Sequence, residues 1–213
     1  RRLSSAASDV YKRQAVPCGP VTIPEPAPSA AIVSDMQRRL AAAEKPVILL
    51  GGTRWTEDSA RAVESFATAN DVPVIAALRF HDIIDNGCPS YVGDAGVAMN
   101  GYMKSLLRDA DLILALNIRF GEATTDGYTL FDAPRMAAEL IHSHASDDEI
   151  GKIYAPDLPI HAGPNAMASA LADMMLPESK GRTDWCGGAR ADYLASLVAP
   201  SQPGDVDMGV ITA

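Results

Sequence analysis

Short apolar runs alternate along this chain with stretches in which apolar residues recur every three or four positions. Ile32, Val33, Met36 and Leu40 predict a helix over Ala30 to Ala43, with Ser29 or Ser34 available as its cap. Lys45 to Leu50 is a continuous apolar run closed by Gly51-Gly52, and reads as a strand covered on both faces. Ala60, Val63, Phe66 and Ala67 place a second amphipathic helix between Thr56 and Asn70. Val72 to Leu78 is another buried-strand pattern, with Pro73 at its tolerated start. A long polar connection follows from Arg79 to Asn100, and Tyr102 to Arg108 then reads as a short helix. The strands Leu112 to Leu116, Glu139 to His144 and Leu158 to Ala162 come next. A helix from Pro164 to Met175, its proline in the first turn, closes the series. Strands of this length alternating with helices imply a parallel sheet with right-handed crossovers. The predicted fold class is therefore α/β, a three-layer α/β/α sandwich on a parallel sheet of about five or six strands.

Both ends have a different texture. Residues 1–14 show no helical or strand period, and Ser4 to Gln14 resembles translated sequencing-adapter read-through, so they enter no element. Cys18 to Pro28 is rich in proline and reads as a stiff linker, and Pro200 to Asp207 as a second one. The expected organisation is a linker over 15–29, one domain over 30–177, a linker over 178–207 and the start of another element over 208–213. On this reading the chain is one domain with the stumps of its neighbours.

Composition narrows the classes of function. The formal net charge of −9 and the lack of a Lys/Arg cluster argue against a nucleic-acid or anionic-membrane surface. No apolar run approaches a membrane span, and cytoplasm is the expected location. Cys18, Cys88 and Cys186 are widely spaced, which favours free thiols in a reducing compartment. His142 and His144 alternate on one predicted strand and so share a face. Without a third ligand nearby they read as hydrogen-bonded polar groups, not metal ligands. No GxSxG elbow or cysteine–base pair points to nucleophilic catalysis.

The run Ala110-Asp111-Leu112-Ile113-Leu114-Ala115-Leu116-Asn117-Ile118-Arg119-Phe120 resembles the "ADLLIAVGVRF" strand in the central domain of acetolactate synthase-type thiamine diphosphate enzymes. Lys45 to Gly52, Val72-Pro73-Val74, Leu140-Ile141-His142, Glu149 to Lys152 and Asp157 to Ile160 resemble further blocks of that domain, in order. Cys18 to Pro24 is similar to the end of the family's pyrimidine-binding domain. The resemblance implies a Rossmann-like fold and a bridging domain, with nucleotide binding as a second role. The parent enzyme would use thiamine diphosphate and Mg2+ on 2-keto acids, with both sites outside this chain. It also implies partner domains in the same polypeptide, a homodimer or homotetramer, and no activity for this piece alone.

Flavin-binding members set their cofactor against the first strand's turn and the later strand ends. By that resemblance Gly51, Gly52, Gly93, Gly96, Arg119 and Phe120 are the candidate cofactor contacts. The departures weigh against FAD. Where such members read "HIDIDPAEIGK" this chain has His144 and Ser146 at the acidic positions, and "VGVRFDDR" has become Leu116 to Ala123. No GxGxxG follows Gly51. Gly93-Asp94-Ala95-Gly96 with Asn100 superficially matches a magnesium signature but reads as a loop glycine pair, for want of paired asparagines. The competing class is a stand-alone nucleotide-binding or interaction module without thiamine chemistry.

Overall fold

The computed structural model describes residues 23–199 together with Gly19 and Val21. The expected pieces at 1–14 and 208–213, and Cys18, lie outside the described residues. Within them, six strands form one all-parallel sheet: β1 (Pro46–Leu50), β2 (Val74–Ala77), β3 (Tyr91–Ala95), β4 (Leu112–Leu116), β5 (Glu139–His144) and β6 (Leu158–His161), in the order β3-β2-β1-β4-β5-β6. The three-layer α/β/α class is as expected from the alternation.

Every residue of β1, β2 and β4 is buried, because successive side chains enter two different cores. Ile48, Leu50, Leu112, Leu114 and Leu116 meet α1 (Ala30–Ala42), α2 (Glu57–Ala69) and α4 (Pro164–Leu171) through Met36, Leu40, Val63, Phe66 and Met167. Val47, Leu49, Ile113 and Ala115 face α3 (Gly101–Asp109) through Met103, Leu106 and Leu107. Pro159 sits inside β6, where it is tolerated because β6 is an edge strand.

Two segments differ from the sequence reading. The connection expected from Arg79 to Asn100 contains β3, the other edge strand. Its register against β2 is broken by a bulge, Gly93 has φ 109°, and Asp94 is exposed, so it lacks the apolar run that marks the other strands. Within the segment expected to be a linker, 178–207, residues Lys180–Ser196 form a helix, α5, capped by Ser179. Arg182 is buried, with Nε donating to Asn70 O at 3.2 Å. Trp185 Nε1 donates to Pro46 O, and Arg190 Nη1 donates to Tyr91 O. Trp185 and Cys186 therefore pack within this same domain. Glycines and charges hide this helix in the sequence, because its contacts are hydrogen bonds and aromatic faces and not an apolar stripe. Cys88 and Cys186 are free and buried.

The segment leading into α1 is held at the far end of the sheet. Glu25 Oε2 accepts the backbone N–H groups of Asn165 and Ala166, and its Oε1 accepts from Asn165 Nδ2 at 2.7 Å. Asn165 in turn fixes the turn after β1, donating to Arg54 O and accepting from Thr56 N. Glu25 thus caps α4, whose own N-cap, Gly163, has no side chain to do so. Glu25→Ala is expected to cost about 1–2 kcal/mol, the usual worth of an N-cap. A thermal melt should show Tm lower by roughly 3–6 °C. An unchanged Tm would mean that Glu25 does not hold α4.

Candidate functional site

In a sheet of this order the chain reverses direction between β1 and β4, and ligands bind past the strands' carboxyl ends at that reversal. A cavity of about 430 Å³ lies there. Three turns far apart in sequence line it: Gly52, Thr53 and Arg54 after β1, Asn117 to Arg119 after β4, and His144 to Ser146 at the end of β5, with Leu78, Phe80 and Thr124. Its charged lining residues are the arginines Arg54 and Arg119, and among the described residues no carboxylate lines it. Arg119 has 73% of its side chain exposed and approaches Glu149 Oε1 at only 3.8 Å, so its guanidinium can turn to an incoming anion.

The turns use left-handed backbone conformations. Gly52, Arg54 and Asn117 have φ of 72°, 73° and 53°. For the two non-glycine residues this region persists only when neighbours over-determine it. Asn165 does so for Arg54. Asn117 is fixed by its own Nδ2, which donates to Thr53 O at 3.0 Å, and by its backbone N–H, which donates to Ser143 O.

A smaller cavity of about 210 Å³ adjoins the first across Arg119 and is lined by Phe120, Tyr128, His142, Glu149, Lys152 and Tyr154, among others. His142 and His144 share a face, as their alternation implies, with ring centroids 6.3 Å apart. His142 Nε2–H donates to Ile118 O at 3.0 Å, leaving Nδ1 buried without a partner. Burial pushes its pKa down to about 4, so the ring is neutral. His144 Nδ1 accepts the Ser146 N–H at 2.9 Å, and burial lowers its pKa as well. Each histidine is thus a hydrogen-bonded polar group.

The six residues expected to contact a cofactor separate into three groups. Gly52 and Arg119 line the larger cavity, and Arg119 and Phe120 the smaller one. Gly51 lies beneath the cleft, and a methyl there would meet Ala77, Phe80 and Ile118 within 3.5 Å. Gly93 and Gly96 lie at β3, Gly93 covered by Tyr102 and Tyr193, and line neither cavity. Asp94 faces His81 at 3.4 Å, while Asn100 caps α3 through Gly101 N. Among the polar cleft residues that were not expected contacts are Thr53, Arg54, Asn117 and Thr124. Arg54's only signal is its position two residues past the glycine that ends β1. Thr124 carries none, because a buried threonine in a loop marks no motif.

Residues 33–171 match the family model for the thiamine pyrophosphate enzyme, central domain. The chain belongs to this family. It is 27% identical over 177 residues to an acetolactate synthase of Mycobacterium bovis, covering 80% of this chain and 28% of that protein. It is 29% identical over 147 residues to a 3D-(3,5/4)-trihydroxycyclohexane-1,2-dione hydrolase of Geobacillus thermodenitrificans, covering 68% of this chain and 22% of that one. A glyoxylate carboligase of Escherichia coli O157:H7 is 26% identical over 156 residues, covering 73% and 26%. The chain thus spans about a quarter of the length of these relatives. The central-domain match stops at residue 171, so α5 lies beyond it while packing on the same core. Among the described residues no helix is long and apolar enough to cross a membrane.

Proposed function

We propose that this chain is the bridging and nucleotide-binding central domain of a larger cytoplasmic thiamine diphosphate enzyme that acts on 2-keto acids. The observation that carries the nucleotide role is the cleft at the strand reversal, a cavity of about 430 Å³ lined by two arginines and, among the described residues, by no carboxylate. That volume suits a nucleotide-sized ligand. Thiamine diphosphate and Mg2+ would be held elsewhere in the parent. No group of three His, Cys, Asp or Glu side chains among the described residues could hold a metal ion. No catalytic step is assigned to the residues of this domain.

The parent would be a homodimer or homotetramer that forms or cleaves a bond beside a carbonyl, with pyrimidine- and diphosphate-binding domains in the same polypeptide. Carbon dioxide release from pyruvate and glyoxylate, with thiamine diphosphate and Mg2+ supplied, tests this. The whole gene product is expected to turn over and the 213-residue chain not to. Turnover by the chain alone, or none by the whole protein, would overturn the reading.

Calorimetric titration of the chain with ADP, ADP-ribose and FAD tests the cleft. Arg54→Ala and Arg119→Ala are each expected to weaken ADP binding about tenfold, the worth of one charge-assisted hydrogen bond. The loss should shrink as salt is raised, because both side chains are exposed. Equal affinity in both variants would remove the cleft as the binding site.

A further inference from the structure

We propose that the smaller cavity, between the segments that follow β4 and β5, is a binding site for a small aromatic carboxylate that carries a hydroxyl at its far end. It is independent of the nucleotide reading above, which concerns the larger cleft; the two cavities share only Arg119 among their lining residues. Three features meet in this cavity: two buried polar groups without partners, an aromatic wall and a cationic mouth.

His142 and Tyr154 both line the cavity, and each is 1% exposed. His142 gives its Nε2–H to Ile118 O, so Nδ1 is a bare acceptor, and no donor meets it. The Tyr154 hydroxyl has no partner either. Thr125 beside it is engaged elsewhere, its hydroxyl donating to Gly121 O and accepting the Tyr128 N–H. A buried polar group left unpaired is costly, so two on one small cavity call for an occupant. Nδ1 requires a donor, which rules out a carboxylate at that end, while the tyrosine can donate or accept. A hydroxyl serves both.

The rest of the lining sets the body of the ligand and its other end. Phe120 packs edge-on against both His142 and Tyr154, with ring centroids 5.2 and 5.3 Å apart, and Tyr128 and Ile153 complete the wall. The volume of about 210 Å³ exceeds the roughly 150 Å³ of an apolar cavity that takes benzene. At the mouth Lys152 and Arg119 have 57% and 73% of their side chains exposed, and both approach Glu149, at 3.0 and 3.8 Å. Glu149 is the one carboxylate of the lining among the described residues, so two cations against one acid leave positive charge for a bound carboxylate. A single ring with a carboxylate at one end and a hydroxyl at the other matches all three features.

The test is calorimetric titration of the 213-residue chain with 4-hydroxybenzoate and, as the matched probe, benzoate. 4-Hydroxybenzoate is expected to bind at least about tenfold more tightly, the worth of one hydrogen bond to a buried group. Tyr154→Phe deletes only the unpaired hydroxyl, so its Tm is expected to equal or exceed that of the unaltered chain. In this variant the preference over benzoate should fall to within roughly threefold. Lys152→Ala should weaken both probes about threefold, by an amount that shrinks as salt is raised. No heat with either probe, or equal binding of the two, would mean that the unpaired groups meet water at most, and overturns the site. So does a preference that Tyr154→Phe leaves unmoved. None of these results bears on ADP in the larger cleft.

Discussion

Replacing Gly52 with alanine is expected to destabilise this domain more than any other single-methyl change at its cleft. Gly52 has φ 72°, where an L side chain costs roughly 1–2 kcal/mol. The added methyl would also overlap the backbone oxygen and side-chain amide of Asn117. That oxygen cannot retreat easily, because the backbone N–H of Asn117 is committed to Ser143 O on the neighbouring strand at 2.8 Å. Strain plus overlap against fixed backbone places the loss at roughly 3–5 kcal/mol, or a Tm lower by about 10 °C. Gly121→Ala is the matched control. Gly121 has no neighbour within 4 Å of an added methyl, and its substitution is expected to leave Tm within about 2 °C. Similar melts for the two variants would show that the β1 and β4 turns do not meet as described.

The second large effect is acid lability centred on His142. Its folded pKa is held down to about 4 by burial, while the unfolded ring titrates near the ordinary 6.5. Above pH 6.5 both states are neutral and the full stability is present. As pH falls below 6.5 the unfolded chain takes up a proton that the folded ring refuses, so stability declines until the pH passes through 4. The two values lie about two and a half pH units apart, which at about 1.4 kcal/mol per unit is roughly 3 kcal/mol. His144, also lowered by burial, works in the same direction. Urea denaturation at pH 7 and pH 4.5 should show this drop. In His142→Gln, which keeps a donor for Ile118 O and cannot titrate, the difference between the two pH values should be smaller by most of that amount. An equal drop in both proteins would assign the acid lability to other groups.

The strands and most helices were legible in the sequence because each is a local matter. A continuous apolar run as short as Leu112 to Leu116, closed by polar residues, reads as a strand buried on both faces, and Ala60, Val63, Phe66 and Ala67 fall on one helical stripe. The resemblance to thiamine diphosphate enzymes drew on the same local strings, and the family match confirms it. β3 and α5 were not legible. One is an edge strand interrupted by a bulge, and the other is held by Arg182, Trp185 and Arg190 through backbone oxygens that no residue pattern announces.

The sequence alone determined the alternation of strand and helix, and so the parallel three-layer sandwich and the family. Tertiary structure alone decided the order β3-β2-β1-β4-β5-β6, and with it which turns meet. Strand order follows from how crossovers pack, not from any single run of residues. It brings Gly52 to Arg54, Asn117 to Arg119 and His144 to Ser146 around one cavity, though they are tens of residues apart in the chain. The same packing separates Gly93 from the cleft and fills the spaces beside Gly51 and Gly52 with protein. A glycine's emptiness is available to a ligand only if no neighbour claims it, and the neighbour is chosen by the fold.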